Sequence, residues 1–126
     1  MTTGNLEALR GLHVLVVEDN YVLAESMRWA LEALGCIVVG PAPTNERAFA
    51  LLQEGRIDAA ILDIDLQGKT SQPVAEQLLE ADLPFLFLTG YESAPEWLGE
   101  RPCLNKPVDP EILASALAAE VGPAGP

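Results

Sequence analysis

The stretch AAILDIDLQG, residues 59–68, decides the fold of this chain. Its first part, Ala59 to Leu62, is an uninterrupted apolar run of the kind that forms a strand buried on both faces. That strand ends in a carboxylate, Asp63, and a second carboxylate, Asp65, follows two residues later. A buried charge without a partner is costly in free energy. The two acids are therefore either solvated at the strand end or face a cation that other parts of the chain hold.

Strands and helices alternate on both sides of this segment. Apolar runs without helical spacing predict strands, and apolar residues recurring at three and four predict helices. Such alternation predicts an α/β fold with a doubly wound, five-stranded parallel sheet, whose ligands bind beyond the carboxyl ends of the strands. The predicted strands are 13–17, 36–40, 59–63, 84–89 and 103–105, and the predicted helices begin near Leu23, Thr44, Pro73 and Asp109.

Composition restricts the classes of partner. Seven Lys and Arg residues stand against 19 Asp and Glu residues, which gives a formal net charge of −12. An acidic chain is repelled by nucleic acid and by anionic membrane surfaces, so neither is expected as a partner. No apolar run approaches the roughly 20 residues of a membrane span, and the polar start of the chain is unlike a signal peptide.

The length of 126 residues predicts a single domain over 1–126. We expect its core at about 12–121, with frayed ends over Met1–Arg10 and after Val121. The two cysteines, Cys36 and Cys103, lack metal-binding or redox spacing, which predicts free thiols and a cytoplasmic location.

Charged or polar residues stand at the ends of four predicted strands. Because these ends share one edge of a parallel sheet, the side chains should lie together. Crowded carboxylates repel one another unless a divalent cation neutralises them, and Mg²⁺ combines carboxylates with waters and phosphate oxygens. A lysine and a hydroxyl suit the remaining oxygens of a phosphoryl group, which predicts a phosphoryl-transfer site with one carboxylate as nucleophile. The set is Glu18, Asp19, Asp63, Thr89 and Lys106.

Four segments, VLVVEDN, AAILDIDLQG, FLFLTGY and CLNKPVD, resemble in order and separation the receiver domain of two-component response regulators. The resemblance covers about 12–121 and implies the flavodoxin-like receiver fold, with Asp63 as the phosphoacceptor and Mg²⁺ as the cofactor. It implies Asp19 and Asp63 as metal ligands, Glu18 acting mostly through water, and Asp65 contributing its backbone carbonyl.

The same resemblance assigns the remaining residues of the site. Thr89 would bond the phosphoryl group, and Lys106 would pair first with Asp63 and then with a phosphoryl oxygen. The Lys106–Pro107 bond is a candidate cis peptide. A receiver is not an enzyme with a separate substrate; it is a phosphoacceptor that assists its own phosphorylation and dephosphorylation. The implied partners are a sensor histidine kinase or phosphotransfer protein, and a downstream protein.

The segment PFLFLTGY resembles a subgroup of stand-alone receivers nicknamed FATGUY, which are associated with stress-response phosphorelays in alphaproteobacteria. Between Thr89 and Lys106, three helix-breaking residues leave room for hardly more than one helical turn, so the fourth helix should be short or irregular. These residues are Pro95, Gly99 and Pro102.

Two positions depart from the usual receiver pattern. Cys103 stands where many receivers carry an aromatic switch residue, so the switch and output are expected to involve Gly90 and Tyr91. Gln67, followed by Gly68, replaces the usual proline four residues after the phosphoacceptor, which predicts a more mobile loop.

Three other interpretations fit parts of the sequence. ILDIDLQG also resembles the first motif of haloacid-dehalogenase-like phosphatases, with Asp63 as nucleophile and Asp65 as general acid and base. A flavodoxin-like nucleotide binder would share the fold, but its phosphate loop should be rich in Gly, Ser and Thr, whereas here EDNYVLAE is acidic. The third is a receiver-like module that binds partners without being phosphorylated.

Overall fold

The computed structural model describes residues 6–90, 96–99 and 102–122. Five parallel strands form one sheet in the order β2-β1-β3-β6-β7, which confirms the predicted doubly wound architecture. These strands are β1 (His13–Val17), β2 (Ile37–Ala42), β3 (Ala59–Asp63), β6 (Phe85–Thr89) and β7 (Cys103–Asn105). A separate antiparallel hairpin consists of β4 (Asp65–Leu66) and β5 (Lys69–Thr70). The α-helices are α1 (Tyr21–Ala33), α2 (Asn45–Glu54), α3 (Gln72–Glu80) and α4 (Pro110–Val121).

The central strand β3 shows why the apolar runs form a sheet buried on both faces. Ala60 and Leu62 point into a core shared with α2 and α3, while Ala59 and Ile61 point into a second core shared with α1 and α4. All five residues of β3, including Asp63, are buried. Alternate side chains therefore fill both layers, and the strand tolerates a polar residue only at its end.

The second strand is longer than the predicted 36–40 and bends at Gly40. Gly40 has a φ of +99°, which residues with a side chain rarely adopt. A Cβ added to Gly40 would lie 2.8 Å from the Ala42 nitrogen and 3.0 Å from the Val16 carbonyl oxygen. Past this bend, the Ala42 carbonyl accepts a hydrogen bond of 2.9 Å from the Glu18 backbone nitrogen. The end of β2 thus holds the backbone of Glu18, the first acid of the predicted site.

The prediction of a frayed start was wrong for the residues nearest the sheet. Leu6–Leu9 form a 3₁₀ helix in which Ala8 and Leu9 are buried. Leu9 belongs to the core beneath α1 and α4, and its carbonyl accepts a bond of 3.4 Å from the Cys36 thiol. The two apolar side chains gain more from burial than the short helix costs in ordering.

The segment between β6 and β7 contains a single 3₁₀ turn, Glu96–Leu98, in its described part, in agreement with a short or irregular fourth helix. Trp97 from this turn packs edge-to-face against Phe87, with ring centroids 5.5 Å apart. Cys36 and Cys103 are both free. In the described ranges, none of the helices has the length and apolar character to cross a membrane.

Candidate functional site

The register of the sheet brings four strand ends to one edge. Val17 pairs with Leu62, so β1 and β3 end side by side, and Asp63 pairs with Leu88 near the end of β6. Thr89 in turn pairs with Asn105, the last residue of β7. The residues that follow or end these strands therefore meet in one place, as expected for parallel strands. They are Glu18, Asp19, Asp63, Thr89 and Lys106.

Lys106 is the cation that the buried acid of the central strand faces. Its Nζ donates a hydrogen bond of 2.6 Å to Asp63 Oδ2, and it lies 3.2 Å from Glu18 Oε1. The side chains of Glu18 and Asp63 are almost fully buried, with exposures of 0% and 4%, whereas that of Lys106 is 24% exposed. Asp63 is thus not a solvated strand end. It is a buried carboxylate stabilised by a charge-assisted hydrogen bond.

Glu18 occupies the most strained electrostatic environment of the site. Burial, followed by the nearby charge of Asp63, raises the pKa of its carboxyl group to about 7, against the favourable effects of the Asn20 backbone and Lys106. Its Oε2 accepts a hydrogen bond of 3.0 Å from the Asn20 nitrogen. Its buried Oε1 accepts none, although Lys106 lies at ion-pair distance. This oxygen can accept a further ligand.

Lys106 itself is held in its charged form. Burial opposes the charge, but the hydrogen bond and the charge of Asp63, together with those of Glu18, outweigh it and raise the pKa of Lys106. The ammonium group is therefore a permanent positive charge at physiological pH.

The acids fit a divalent cation. Glu18, Asp19 and Asp63 each offer a carboxylate oxygen, and these oxygens lie within 4.8 Å of one another. Three carboxylates exceed the charge of one lysine, and hard oxygen ligands of this kind suit Mg²⁺. The unsatisfied Oε1 of Glu18 supports the same fit. The side chain of Asp65 is not part of this cluster; its backbone nitrogen donates a bond of 3.2 Å to Asp63 Oδ1, and its role through the carbonyl stays a prediction.

Asn20 caps the helix that starts beside these acids. Its Oδ1 accepts a hydrogen bond of 3.0 Å from the Leu23 nitrogen, at the start of α1. Because Asn20 fills the capping position, the half-buried Asp19 side chain is available to the metal site.

An open cleft of about 550 Å³ lies above the acids, and it contains residues that sequence reasoning did not place there. Asn20 and Gln67 line it, although neither was predicted as a site residue. The sequence signal that could have placed Gln67 there is the dipeptide Gln67-Gly68 after Leu66. A glycine in a short turn permits a hairpin, which returns the chain toward the end of the strand. The cleft is lined by Asp19, Asn20, Asp63, Asp65, Gln67, Gly90 and Lys106.

The remaining predicted residues are placed as follows. Thr89 is buried at the end of β6, and Gly90 lines the cleft with open space where a Cβ would be. Tyr91, expected to take part in output, lies outside the described residues. The Lys106–Pro107 peptide bond is cis.

The position of Glu18 predicts a pH dependence of stability without metal. Its native pKa of about 7 lies above its ordinary value of 4.5, so it stabilises the fold below about pH 4.5 and loses this contribution as pH rises through 7. Urea titrations in the presence of a chelator measure the free energy of unfolding at pH 6 and at pH 8. Between these two pH values, we expect the free energy of unfolding of the parent to fall by about 1 kcal/mol more than that of the Glu18→Gln variant. Equal losses would show that this carboxyl group is already ionised at pH 6.

The chain matches the family model described as response regulator receiver domain over residues 14–118. It is 30% identical over 122 residues to the phyllosphere-induced regulator PhyR of Methylorubrum extorquens, covering 90% of this chain and 45% of the relative. A solved PhyR structure is described as that of a stress response regulator. The chain spans less than half the length of the curated relatives it matches.

Two solved structures are informative about the site. The BeF₃-activated conformation of SdrG from Pseudomonas melonis Fr1 is 40% identical, with a TM-score of 0.76, covering 87% of this chain and 96% of that one. A response regulator protein from Burkholderia pseudomallei is 28% identical, with a TM-score of 0.74, covering 87% and 70%. The latter contains a phosphorylated aspartic acid and a calcium ion.

Proposed function

Because the chain belongs to the response regulator receiver domain family, we propose that it accepts a phosphoryl group on Asp63 and signals through that modification. The observation that carries the proposal is the buried Asp63 carboxylate, bound by Lys106 at 2.6 Å and open to a cleft beside a cluster of acids. The phosphorylated aspartic acid in the Burkholderia structure supports it by likeness. The donor is a phosphohistidine of a sensor kinase or a phosphotransfer protein.

The transfer is a displacement at phosphorus. A carboxylate oxygen of Asp63 attacks the phosphorus atom, a phosphorus–oxygen bond forms, and the bond to the donor imidazole breaks with its electron pair returning to the ring. Lys106 shifts from Asp63 to a phosphoryl oxygen as a point charge, and the Thr89 hydroxyl donates a hydrogen bond to another. The chain is thus a phosphoacceptor that assists its own reaction, and not an enzyme with a separate substrate.

Mg²⁺ would be held by the carboxylates of Asp19 and Asp63, by Glu18 mostly through water, and by the backbone carbonyl of Asp65. When bound, it neutralises the crowded acids and the charge on the transferring phosphoryl group. Without the metal, the acids attract cations to the cleft and repel anions.

The output is proposed to be a contact with a second protein or relay of the phosphoryl group to one. The likeness to PhyR, described as a stress response regulator, supports a role in a stress response. We also propose that the protein acts in the cytoplasm, where it meets its kinase. The family match also leaves the phosphatase interpretation of Asp63 and Asp65 without support.

The experiment that tests this function is incubation with a small acyl phosphate, followed by intact-protein mass measurement. We expect one phosphoryl group per chain in the presence of Mg²⁺, and a loss of at least about tenfold in uptake rate when EDTA replaces the metal. A chain that binds partners without phosphorylation would take up no phosphoryl group in either buffer. Equal uptake with and without the metal would contradict the metal assignment alone.

A further inference from the structure

Gln67 lies at the tip of the hairpin that follows the phosphoacceptor strand, and this exposed residue lines the same cleft as Asp63. The hairpin is bonded at its base, and the greater mobility expected from the missing proline stays a prediction. Leu66 and Ile64 are buried, the Ile64 nitrogen donates to the Leu88 carbonyl at 2.9 Å, and the Ser71 nitrogen donates to the Ile64 carbonyl at 2.9 Å. The base of the hairpin is therefore anchored to the sheet beside the cleft.

The backbone of the turn does not explain why residue 67 is a glutamine. Gln67 has a φ of +54° and Gly68 a φ of +88°, as in tight two-residue hairpin turns. Gly, Asn or Asp adopt this conformation at lower cost, and a glutamine held there carries backbone strain. Such an unfavourable residue at the rim of a reactive cleft points to a function of its side chain.

The chemistry of the cleft suggests which function. Asp19, Asp63 and Asp65 contribute carboxylates and Lys106 contributes the cation, whereas Gln67 contributes a neutral carboxamide. A carboxamide oxygen accepts a hydrogen bond from water, and its NH₂ group donates to a phosphoryl oxygen, without the repulsion that a carboxylate would add. Glutamine has this water-orienting role in other phosphoryl-transfer sites.

We propose that Gln67 is a positioning residue that orients the water that hydrolyses the phosphoryl group on Asp63, and so sets the lifetime of the signal. This inference rests on the proposed phosphorylation of Asp63. The water oxygen attacks phosphorus, the bond from phosphorus to the Asp63 oxygen breaks, and its electron pair returns to the carboxylate. Inorganic phosphate leaves, and the proton of the water passes to solvent.

The test compares loading and decay in three proteins and a control. Each is loaded with acyl phosphate and Mg²⁺, the donor is removed, and the remaining phosphoprotein is followed by intact mass. Gln67→Gly suits the backbone of the turn and removes the carboxamide, while Gln67→Asn suits it and keeps a shorter one. Asp82→Gly is the control. Among the described residues, Asp82 is the one non-glycine residue other than Gln67 that has a positive φ, at 58°, and it lies outside this cleft.

We expect Gln67→Gly to raise the ratio of the loading rate constant to the hydrolysis rate constant about tenfold above the parental ratio. Gln67→Asn should bring this ratio part of the way back toward the parental value. Asp82→Gly should leave the ratio at the parental value. A purely structural role would move loading and hydrolysis together. Gln67→Gly with the parental ratio, or with faster hydrolysis, would overturn this inference and leave the phosphorylation of Asp63 intact. A parent that takes up no phosphoryl group would overturn the proposed function as well.

Discussion

Replacing Asp63 with asparagine is expected to abolish phosphoryl uptake, lowering its rate at least about a thousandfold. The carboxamide keeps the shape of the side chain but lacks the nucleophilic oxygen. Its oxygen can still accept the hydrogen bond that Lys106 now makes to Asp63 at 2.6 Å, so the fold should persist. The rate is measured by intact mass during incubation with acyl phosphate and Mg²⁺.

The matched control for this substitution is Asp82→Asn. Asp82 is exposed and has a positive φ that asparagine tolerates, so the same chemical change is made far from the acids. The control should load at the parental rate. Undiminished loading of Asp63→Asn would show that another residue accepts the phosphoryl group.

Lys106→Gln is expected to lower the free energy of unfolding by about 2–3 kcal/mol at pH 8 in the absence of metal. The substitution leaves the buried carboxylates of Glu18 and Asp63 without their cation, and an unpaired buried charge is expensive. The loss should be smaller at pH 6, because Glu18, whose pKa is already about 7, then takes up a proton. Urea titrations at both pH values measure the effect.

Lys69→Gln is the control, since Lys69 is the only other lysine of the chain and is exposed in the hairpin. It should change stability by less than about 0.5 kcal/mol. Equal stability of the two variants would mean that Lys106 does not stabilise the acids as the 2.6 Å contact indicates.

The parallel, doubly wound sheet and the meeting of the acids could be predicted from the sequence, because they depend on patterns that few alternatives share. The apolar run before Asp63 is typical of a strand buried on both faces, and parallel strands bring their carboxyl ends to one edge. Glu18 and Lys106 could therefore be expected beside Asp63. Their contact distances and the buried state of Glu18 depend on packing, which no local pattern reports.

The errors arose where tertiary contacts outweigh local composition. The start of the chain was predicted to be frayed, but Leu6–Leu9 form a 3₁₀ helix and Leu9 packs in the core under α4. The place of Gln67 at the cleft could not be predicted, because it depends on the burial of Leu66 and on two backbone hydrogen bonds of Ile64 that anchor the base of the hairpin. The same contacts bring Gln67 to the cleft, which is why its candidate role emerged only from the structure.

The most direct test of phosphorylation at the central strand is to locate the phosphoryl group. Borohydride reduces an aspartyl phosphate to homoserine, and cleavage after Arg56 and Lys69 releases a peptide over 57–69 that contains the three aspartates Asp58, Asp63 and Asp65. Fragmentation of this peptide after loading with acyl phosphate and Mg²⁺ should place homoserine at Asp63 alone. Homoserine at Asp65, or in a peptide elsewhere in the chain, would contradict the account.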